Sequence, residues 1–325
     1  MTKSRVSSAA RPAGFLAAFC ILALFSLFSA GCKERETPVK VDFGKRREVS
    51  APAPYKGLTY AYLPQYSHPI SYARHHELVE YLEKVTGMPI RQVFPATFGE
   101  HIAMVRRGEI DISYVNPLAY LQMADSGAFA FARVLEPDGS PEFRGEIIAR
   151  ADNPAVKTLK DCRGKRIIAV DPASAGGFLY PMGLLLDQGM KMSDFPEIAF
   201  APGPGGQQEK VVLAVHAGLY DVGMVREGTL NLLADRIDTS SISVLGSSKA
   251  YPGWLFAARK GLAPEVVEAL SKALSGLSMD DPATAPILQA AHIKAVIPSS
   301  DADYAPVREL VTRLGLNIPE TKGEP

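Results

Sequence analysis

From Gly57 onward, the hydrophobic positions of the chain follow two different periods. Short apolar runs, typical of buried strands, alternate with longer segments in which apolar residues recur every three or four positions, as on one face of a helix. Glycine follows several helical segments, at the position where a left-handed residue ends a helix. In the first half the pattern predicts a strand, a helix, a strand, a helix and a strand at 58–63, 72–85, 90–94, 98–107 and 110–115.

The second half repeats this alternation and then becomes helical. It predicts, in the same order, a strand, a helix, a strand, a helix and a strand at 166–170, 177–188, 197–200, 209–217 and 221–225. Three further helices, with little strand between them, are predicted at 264–277, 282–290 and 304–314, and we expect them to pack against the first half. Alternation of strand and helix favours an α/β fold.

The two halves share a short internal similarity. Residues 105–111 and 215–221 both contain a helix end, then a glycine, then an aspartate at the start of a strand. We therefore expect two lobes of related build. Because ligands of open α/β sheets bind beyond the carboxyl ends of the strands, the loops after Val115, Val170 and Val225 are predicted to face a shared cleft.

The start of the chain has the pattern of a signal peptide. Residues 15–28 are mostly apolar, follow three basic residues and precede small residues that include Ser29. The run is shorter than the roughly 20 residues of a membrane-spanning helix, so cleavage is favoured over a permanent anchor. Ala30-Gly31-Cys32 resembles the lipobox of bacterial lipoproteins, whose cysteine is acylated, although Leu is usual where Ser29 stands. We expect a lipoprotein signal peptide over 1–31, lipid on Cys32 and a flexible tether over 32–56.

Composition and length narrow the class of protein. Basic and acidic residues number 35 each, so neither a nucleic-acid-binding surface nor an acidic tail is indicated. Cleavage before Cys32 leaves 294 of the 325 residues. Chains of this length usually divide into more than one hydrophobic core, so two domains are favoured. The three cysteines provide no disulfide framework, because Cys20 leaves with the signal and Cys162 is expected to be a small buried apolar residue.

The loop after the strand at 166–170 carries the strongest binding signal. Ser174, Ala175, Gly176 and Gly177 stand at a predicted helix N-terminus, where free backbone N–H groups and the positive end of the helix dipole attract an anion. We refer to these four residues as the helix seat. An ordinary helix capped by Ser174 explains the same residues, and both interpretations stay open here. The loop has no Gly-Lys-Ser/Thr, so it is not a nucleotide P-loop.

Together these segments resemble the PhnD-like family, the phosphonate and phosphite binding proteins of ABC transporters. The resemblance extends from about Gly57 to Leu316. It rests on the segments 78–87, 108–112, 159–165, 171–181 and 304–308. It implies the type II periplasmic-binding-protein fold, an α/β fold of two lobes with a ligand cleft between them.

The resemblance also implies where the lobes meet. Two segments should cross between them, near 143–147 and near 251–256. The corresponding domain boundaries place lobe 1 at 57–146 plus 257–318, lobe 2 at 147–256 and a C-terminal tail at 319–325. Trp254, beside Pro252 and Gly253, is either a packed aromatic residue near the hinge or a ligand contact.

The family's ligand pocket carries over only in part. Its helix N-terminus usually reads Ser-Thr-Ser-Gly, whereas here only Ser174 keeps a hydroxyl. Tyrosines are usual where this chain has Phe98 and Phe143, and a histidine is usual where it has Gln208, while Glu209 matches the family's pocket acid. Each lost charge-assisted hydrogen bond to an oxyanion costs about 1.5 to 3 kcal/mol, so the usual phosphonate is expected to bind more weakly here.

Arg226 is a candidate replacement for the missing donors. It follows the strand at 221–225, and its guanidinium can make a two-pronged pair of bonds to a carboxylate or a phosphonate. Pairing of Arg226 with Glu227 or Glu209, or projection into solvent, is the alternative that the sequence leaves open. Tyr114 and Asn116, at the end of the strand at 110–115, complete the candidate ligand-binding residues.

The sequence therefore predicts an exported lipoprotein of the cell envelope that closes by a hinge on a small anion and passes it to an ABC permease. The alternative is a ligand-binding sensor or envelope lipoprotein that is not coupled to transport. An enzyme would need a nucleophile and a base within reach, and Ser174 has no histidine partner nearby in sequence. No cofactor is expected, and no metal site, because His75 and His76 point to different sides of a predicted helix and no further ligands follow at metal spacing.

Overall fold

The computed structural model describes residues 56–317, which form two large β-sheets and one two-stranded sheet, with helices flanking the large sheets. Strands and helices are numbered along the chain. The six strands of the first sheet are β1 (Leu58–Tyr62), β2 (Ile90–Gln92), β3 (Ile112–Val115), β4 (Phe129–Leu135), β12 (Leu255–Ala258) and β13 (Ala295–Pro298). The five strands of the second sheet are β6 (Gly145–Arg150), β7 (Arg166–Ala169), β8 (Glu197–Phe200), β9 (Val222–Arg226) and β10 (Ile242–Ser247).

The two sheets share the same core arrangement. In the first sheet β1 lies between β2 and β3 and is parallel to both, and β12 then pairs antiparallel with β3. In the second sheet β7 lies between β8 and β9 and is parallel to both, and β6 then pairs antiparallel with β9. The two-lobed α/β fold predicted from the sequence is therefore confirmed.

The internal similarity of the two halves marks equivalent places in these sheets. Asp111, just before β3, accepts a hydrogen bond on Oδ2 from the backbone N–H of Thr59 in β1, at 2.7 Å. Asp221, just before β9, likewise accepts on Oδ2 from the backbone N–H of Arg166 at the start of β7, at 3.1 Å. Each aspartate ties the start of its own strand to the neighbouring parallel strand, which explains why the pattern recurs.

The chain crosses between the lobes twice, and the two crossings pair with each other. β5 (Glu142–Phe143) leads into the second sheet and β11 (Tyr251–Pro252) leads back toward the first. They form an antiparallel two-stranded ladder in which Tyr251 lies opposite Phe143. Both lie at or next to the predicted crossing segments, and the exact domain limits stay predictions.

Helices cover the sheets and largely follow the apolar periodicity. They are α1 (His68–Thr86), α2 (Phe98–Arg106), α3 (Pro117–Ala124), α4 (Tyr180–Asp187), α5 (Gln207–His216), α6 (Pro264–Ser275), α7 (Ala285–Ala291) and α8 (Ala305–Arg313). Helix α1 begins before the predicted Tyr72 because Pro69 fits its first turn, and it ends at Gly87 in the left-handed conformation with φ of 67°. Asn116 caps α3, accepting on Oδ1 from the N–H groups of Leu118 and Ala119.

The last third of the chain contains little strand between its helices, as predicted: the four-residue β13 lies between α7 and α8 and pairs with β4. One prediction there needs correction, because helix α8 packs against both lobes instead of the first alone. Leu310 lies so close to Gly183 of α4 that a Cβ on that glycine would come within 2.9 Å of Leu310 Cδ1, and Arg313 donates to Asp187 at 2.5 Å.

The predicted signal peptide, the acylated Cys32, most of the tether and the tail at 319–325 lie outside the described residues. Within 56–317, no helix is long and apolar enough to cross a membrane.

Candidate functional site

A cavity of about 530 Å³ lies between the two lobes. The first lobe lines it with residues at the ends of β1 and β3, with α1 and with the segment after α7; the second lobe contributes the residues that follow β9. The carboxyl ends of β1, β3 and β9 thus meet at one place, as expected for ligand sites of α/β sheets. We refer to this space as the interlobe cavity.

Aromatic rings form a continuous wall of the interlobe cavity on the first lobe. His75 lies between Tyr62 and Tyr114, with ring centroids 4.9 and 4.8 Å away, and Trp254 stacks on the other side of Tyr114 at 5.0 Å. Burial lowers the pKa of His75 to about 3, so the ring is neutral, and its Nδ1 pairs with the hydroxyl of Tyr60 at 2.8 Å. This wall offers a ligand an apolar surface.

Two hydrogen-bond donors belong to the same wall. Trp254 is only 2% exposed, and its indole N–H has no hydrogen-bond partner among residues 56–317. Burial and, next, the charge of Glu136 raise the pKa of Tyr114, so its hydroxyl keeps its proton and can donate. Trp254 also lines the cavity. Its stacking on Tyr114 agrees with the first of the two alternatives stated from the sequence, a packed aromatic residue near the hinge.

Arg226 reaches across the cavity instead of pairing within its own lobe. Its Nη2 donates to Oε2 of Glu136, which follows β4 in the first lobe, at 2.6 Å, and the two side chains are 12% and 14% exposed. The guanidinium also lies over the ring of Phe143, 4.7 Å from the ring centre. Arg226 therefore does not show the alternatives that the sequence left open, which were pairing with Glu227 or Glu209 and projection into solvent.

Arg74 is the second arginine that lines the cavity, and sequence reasoning missed it. It stacks over the ring of Tyr66 at 4.5 Å. No carboxylate among the described residues forms an ion pair with it. Its place in the second turn of α1, directly after the loop that follows β1, was the available signal, because that loop ends at the cleft side of the sheet.

The helix seat lies beside the interlobe cavity and is covered by the protein's own side chains. Ser174 Oγ accepts from the N–H of Gly177 at 3.1 Å, as an N-cap does. Asn116 of the first lobe accepts on Oδ1 from the N–H of Ala175 at 3.3 Å and donates from Nδ2 to the carbonyl of Ala173 at 3.1 Å.

The turn itself is tightly packed. A Cβ at Gly176 would lie 2.6 Å from Cε2 of Phe143, so that ring covers the turn directly. All four residues of the helix seat are buried, and none of them lines the interlobe cavity.

The remaining candidate residues do not line the interlobe cavity. Gln208 accepts on Oε1 from the backbone N–H of Arg226 at 3.0 Å and so supports that arginine from behind. Glu209 is 6% exposed and borders a separate small pocket of about 300 Å³. Phe98 is buried in the hydrophobic core of the first lobe. Of the eleven predicted ligand-binding residues, Tyr114 and Arg226 thus line the interlobe cavity itself.

The described residues do not show the side-chain groupings of a metal centre. Between residues 56 and 317, no group of three or more His, Cys, Asp or Glu side chains could hold a metal ion. Cys162 is buried, and burial raises the pKa of its thiol to about 12, which keeps it protonated and unreactive, as its apolar surroundings predicted.

Comparison with known proteins gives one family and several related structures. Residues 60–304 match the family model described as "ABC transporter, phosphonate, periplasmic substrate-binding protein". The phosphate-import protein PhnD of Mycolicibacterium smegmatis is 28% identical over 222 residues, which cover 66% of this chain and 69% of that protein.

Two solved structures share the fold. PhnD1 from Prochlorococcus marinus, in complex with methylphosphonate, has a TM-score of 0.70 at 16% identity and covers 79% of this chain and 98% of its own. A binding protein component of an ABC phosphonate transporter from Pseudomonas aeruginosa has a TM-score of 0.69 at 18% identity, over 79% of this chain and 86% of its own.

Proposed function

The chain belongs to the family of periplasmic substrate-binding proteins of ABC phosphonate transporters, and we propose that it is a lipid-anchored member that carries a small organic anion to an ABC permease. Members of this family are binding proteins located in the periplasm. The observation that carries the proposal is the interlobe cavity, which places two arginines, a tyrosine hydroxyl and an indole N–H at the carboxyl ends of the strands. The permease partner is proposed from the family, and the anionic ligand from the donors that line the cavity.

Two positions in the cleft are candidates for the anionic group. One is the helix seat, which the family uses for the phosphonate oxygens, and the other is the interlobe cavity. The helix seat keeps a single hydroxyl and has Asn116 bound to its first N–H group. The interlobe cavity has the arginines Arg74 and Arg226.

Thermal-shift measurements on the soluble domain test the ligand part of this proposal. The panel consists of phosphate, phosphite, sulfate, methylphosphonate, short alkylsulfonates and carboxylates. An anion at 100 times its dissociation constant should stabilise the folded protein by about 2.7 kcal/mol. If neither the panel nor phenylphosphonate shifts the melting temperature, the assignment of an anionic ligand is contradicted.

The lipid anchor is proposed from Ala30-Gly31-Cys32 and from the apolar run before it. We expect mass spectrometry of the mature protein to find an acylated Cys32 as the N-terminal residue. A Cys32→Ala protein should remain unprocessed or leave the membrane fraction. A Cys32→Ala protein that is cleaved and membrane-bound as before would contradict the anchor.

A sensor or an envelope lipoprotein without a transporter would use the same cleft. Genes for a permease and an ATPase next to this gene would favour uptake. Deletion of such a permease should then abolish uptake of the ligand that the binding assay identifies.

A further inference from the structure

The interlobe cavity is larger than a bare oxyanion requires. Pockets for small organic molecules span about 300 to 1,000 Å³, and the cavity of about 530 Å³ lies within that range. A water molecule occupies about 30 Å³ of liquid, and phosphite is only a few times larger. A ligand that fills this space must have an organic body as well as an acid group.

The walls of the cavity match such a body. The rings of Tyr62, Tyr114 and Trp254 border it on the first lobe, and Leu63, Leu232 and Ile293 add aliphatic surface from both lobes. Rings prefer to pack on other rings in stacked or edge-on geometry, which adds roughly 0.5 to 1.5 kcal/mol to the burial of apolar area. The buried, unpartnered N–H of Trp254 adds a donor at the same place.

The charges of the cavity single out Arg74 as the group that meets the anion. Arg226 is already neutralised by Glu136 at 2.6 Å across the lobes. Of the other acids, Glu227 accepts from the backbone N–H of Arg144 at 2.6 Å, while Asp138 and Glu142 are exposed to solvent, which screens their charges. Arg74 lies over Tyr66 and has no ion-pair partner among the described residues.

From these observations we infer that the interlobe cavity binds an organic acid with a ring-bearing body, its acid group paired with Arg74 and its ring against Tyr114 and Trp254. This inference rests on the proposed binding function and names the ligand class. It also places the anion in the interlobe cavity and not on the helix seat, whose N–H groups at Ala175 and Gly177 are bonded to Asn116 and Ser174.

Phenylphosphonate and methylphosphonate test the inference, because they share the acid group and differ in the body. Trp254 is the single tryptophan of the chain, so a change in its fluorescence reports binding in the cavity directly. We expect calorimetry to give a dissociation constant for phenylphosphonate at least about tenfold below that for methylphosphonate. Saturating phenylphosphonate should change the emission of Trp254.

Arg74→Gln removes the charge and leaves a shorter, neutral polar side chain. It should weaken phenylphosphonate binding about tenfold or more, because a charge-assisted bidentate pair is lost. Arg107→Gln, at an exposed arginine paired with Glu109 in the first lobe, is the matched control and should change the affinity less than twofold. If Arg74→Gln does not fold, as judged by circular dichroism, Trp254→Phe replaces it and should weaken binding about fivefold by calorimetry.

The possible outcomes separate the inference from the proposed function. Equal or tighter binding of methylphosphonate, or an Arg74→Gln protein with wild-type affinity, overturns the inference while the proposed function stands. Absence of binding by phenylphosphonate and by every anion of the thermal-shift panel overturns both. Tight phenylphosphonate binding that depends on Arg74 supports both.

Discussion

At the scale of single residues, two buried histidines make the folded protein sensitive to acid. His75 and His101 are both buried, and burial lowers the pKa of each from 6.5 to about 3. His101 pairs through Nε2 with the hydroxyl of Ser113 at 2.9 Å. Both rings are therefore neutral in the folded protein at neutral pH.

The pH dependence of stability follows from the sign of these shifts. Below pH 6.5 the unfolded chain takes up protons at both histidines, while the folded protein takes them up only near pH 3, so acid favours unfolding. Each histidine should lower the free energy of unfolding by about 1.4 kcal/mol per pH unit in this window, or about 2 kcal/mol at pH 5. Above pH 6.5 both histidines are neutral in the folded and the unfolded protein, so this loss of stability is absent.

Urea denaturation at pH 7.5 and pH 5 measures the effect. His101→Gln should reduce the loss of stability between the two pH values by about 2 kcal/mol, since glutamine does not titrate. The control is His76→Gln, at a half-exposed histidine that follows His75 and contacts Glu80. It should leave the loss of stability between pH 7.5 and pH 5 nearly unchanged. Equal losses in wild type and His101→Gln would contradict the assignment of a buried neutral ring.

Arg226 shows how far residue-scale reasoning from the sequence reached. Its position at the end of a strand predicted correctly that it faces the cleft, because strand ends meet there. Its partner, Glu136, lies 90 positions earlier in the chain, and nothing local in the sequence links the two. The ion pair therefore required the packing of one lobe on the other to be known.

At the scale of elements, the segment that forms the helix seat departs from a regular helix. Residues Ala175–Leu179 form one wide π-helical turn before α4, with the N–H of Leu179 bonded to the carbonyl of Ser174. Gly177 lies against Val170 at the end of β7, where a Cβ would come within 2.3 Å of Val170 Cγ2. The second glycine of the segment is thus needed for close packing of the turn on the strand.

A pair of glycine substitutions tests this packing. Gly177→Ala should lower the free energy of unfolding by about 1 to 3 kcal/mol, because the added methyl group overlaps Val170. Gly99→Ala, in α2 with no atom within 4 Å of the added Cβ, should raise it by up to about 1 kcal/mol through helix propensity. Urea denaturation measures both, and a Gly177→Ala protein as stable as wild type or more stable would contradict the tight packing of Gly177 on Val170.

Helices and parallel strands could be predicted because their signals are local. The strand at 197–200 was placed at its observed limits. A glycine, Gly87, ends α1, in agreement with the prediction that glycine follows several helical segments. Strands β4, β6, β10, β12 and β13 were not predicted as strands. The buried β12, Leu255–Ala258, has four consecutive buried residues and no alternation, and it owes its pairing to β3 and β4, which are distant in the chain.

At the scale of the whole molecule, a few polar contacts hold the lobes together around the cleft. Arg226 bonds to Glu136, and Asn116 bonds to the backbone at Ala173 and Ala175. Removing one member of a buried ion pair leaves its partner with an uncompensated charge. Separation of the lobes would bring that partner into contact with more water.

Arg226→Ala should therefore open the ligand-free protein. Without ligand, we expect small-angle scattering to give a larger radius of gyration for Arg226→Ala than for wild type. Arg107→Ala, which removes an exposed ion pair within one lobe, is the control and should match the wild type. Identical radii for Arg226→Ala and wild type would indicate lobes fixed in place by other contacts.

The ladder formed by β5 and β11 limits the number of independent coordinates along which the lobes can move. Two short strands joined side by side bend readily out of their common plane, whereas sliding one past the other breaks their hydrogen bonds. We therefore expect the lobes to move relative to each other mainly by bending of this ladder. A permease that contacts both lobes could then detect a filled cleft from one distance, the spacing between the surfaces of the two lobes. That distance would be the same signal for any ligand that closes the cleft.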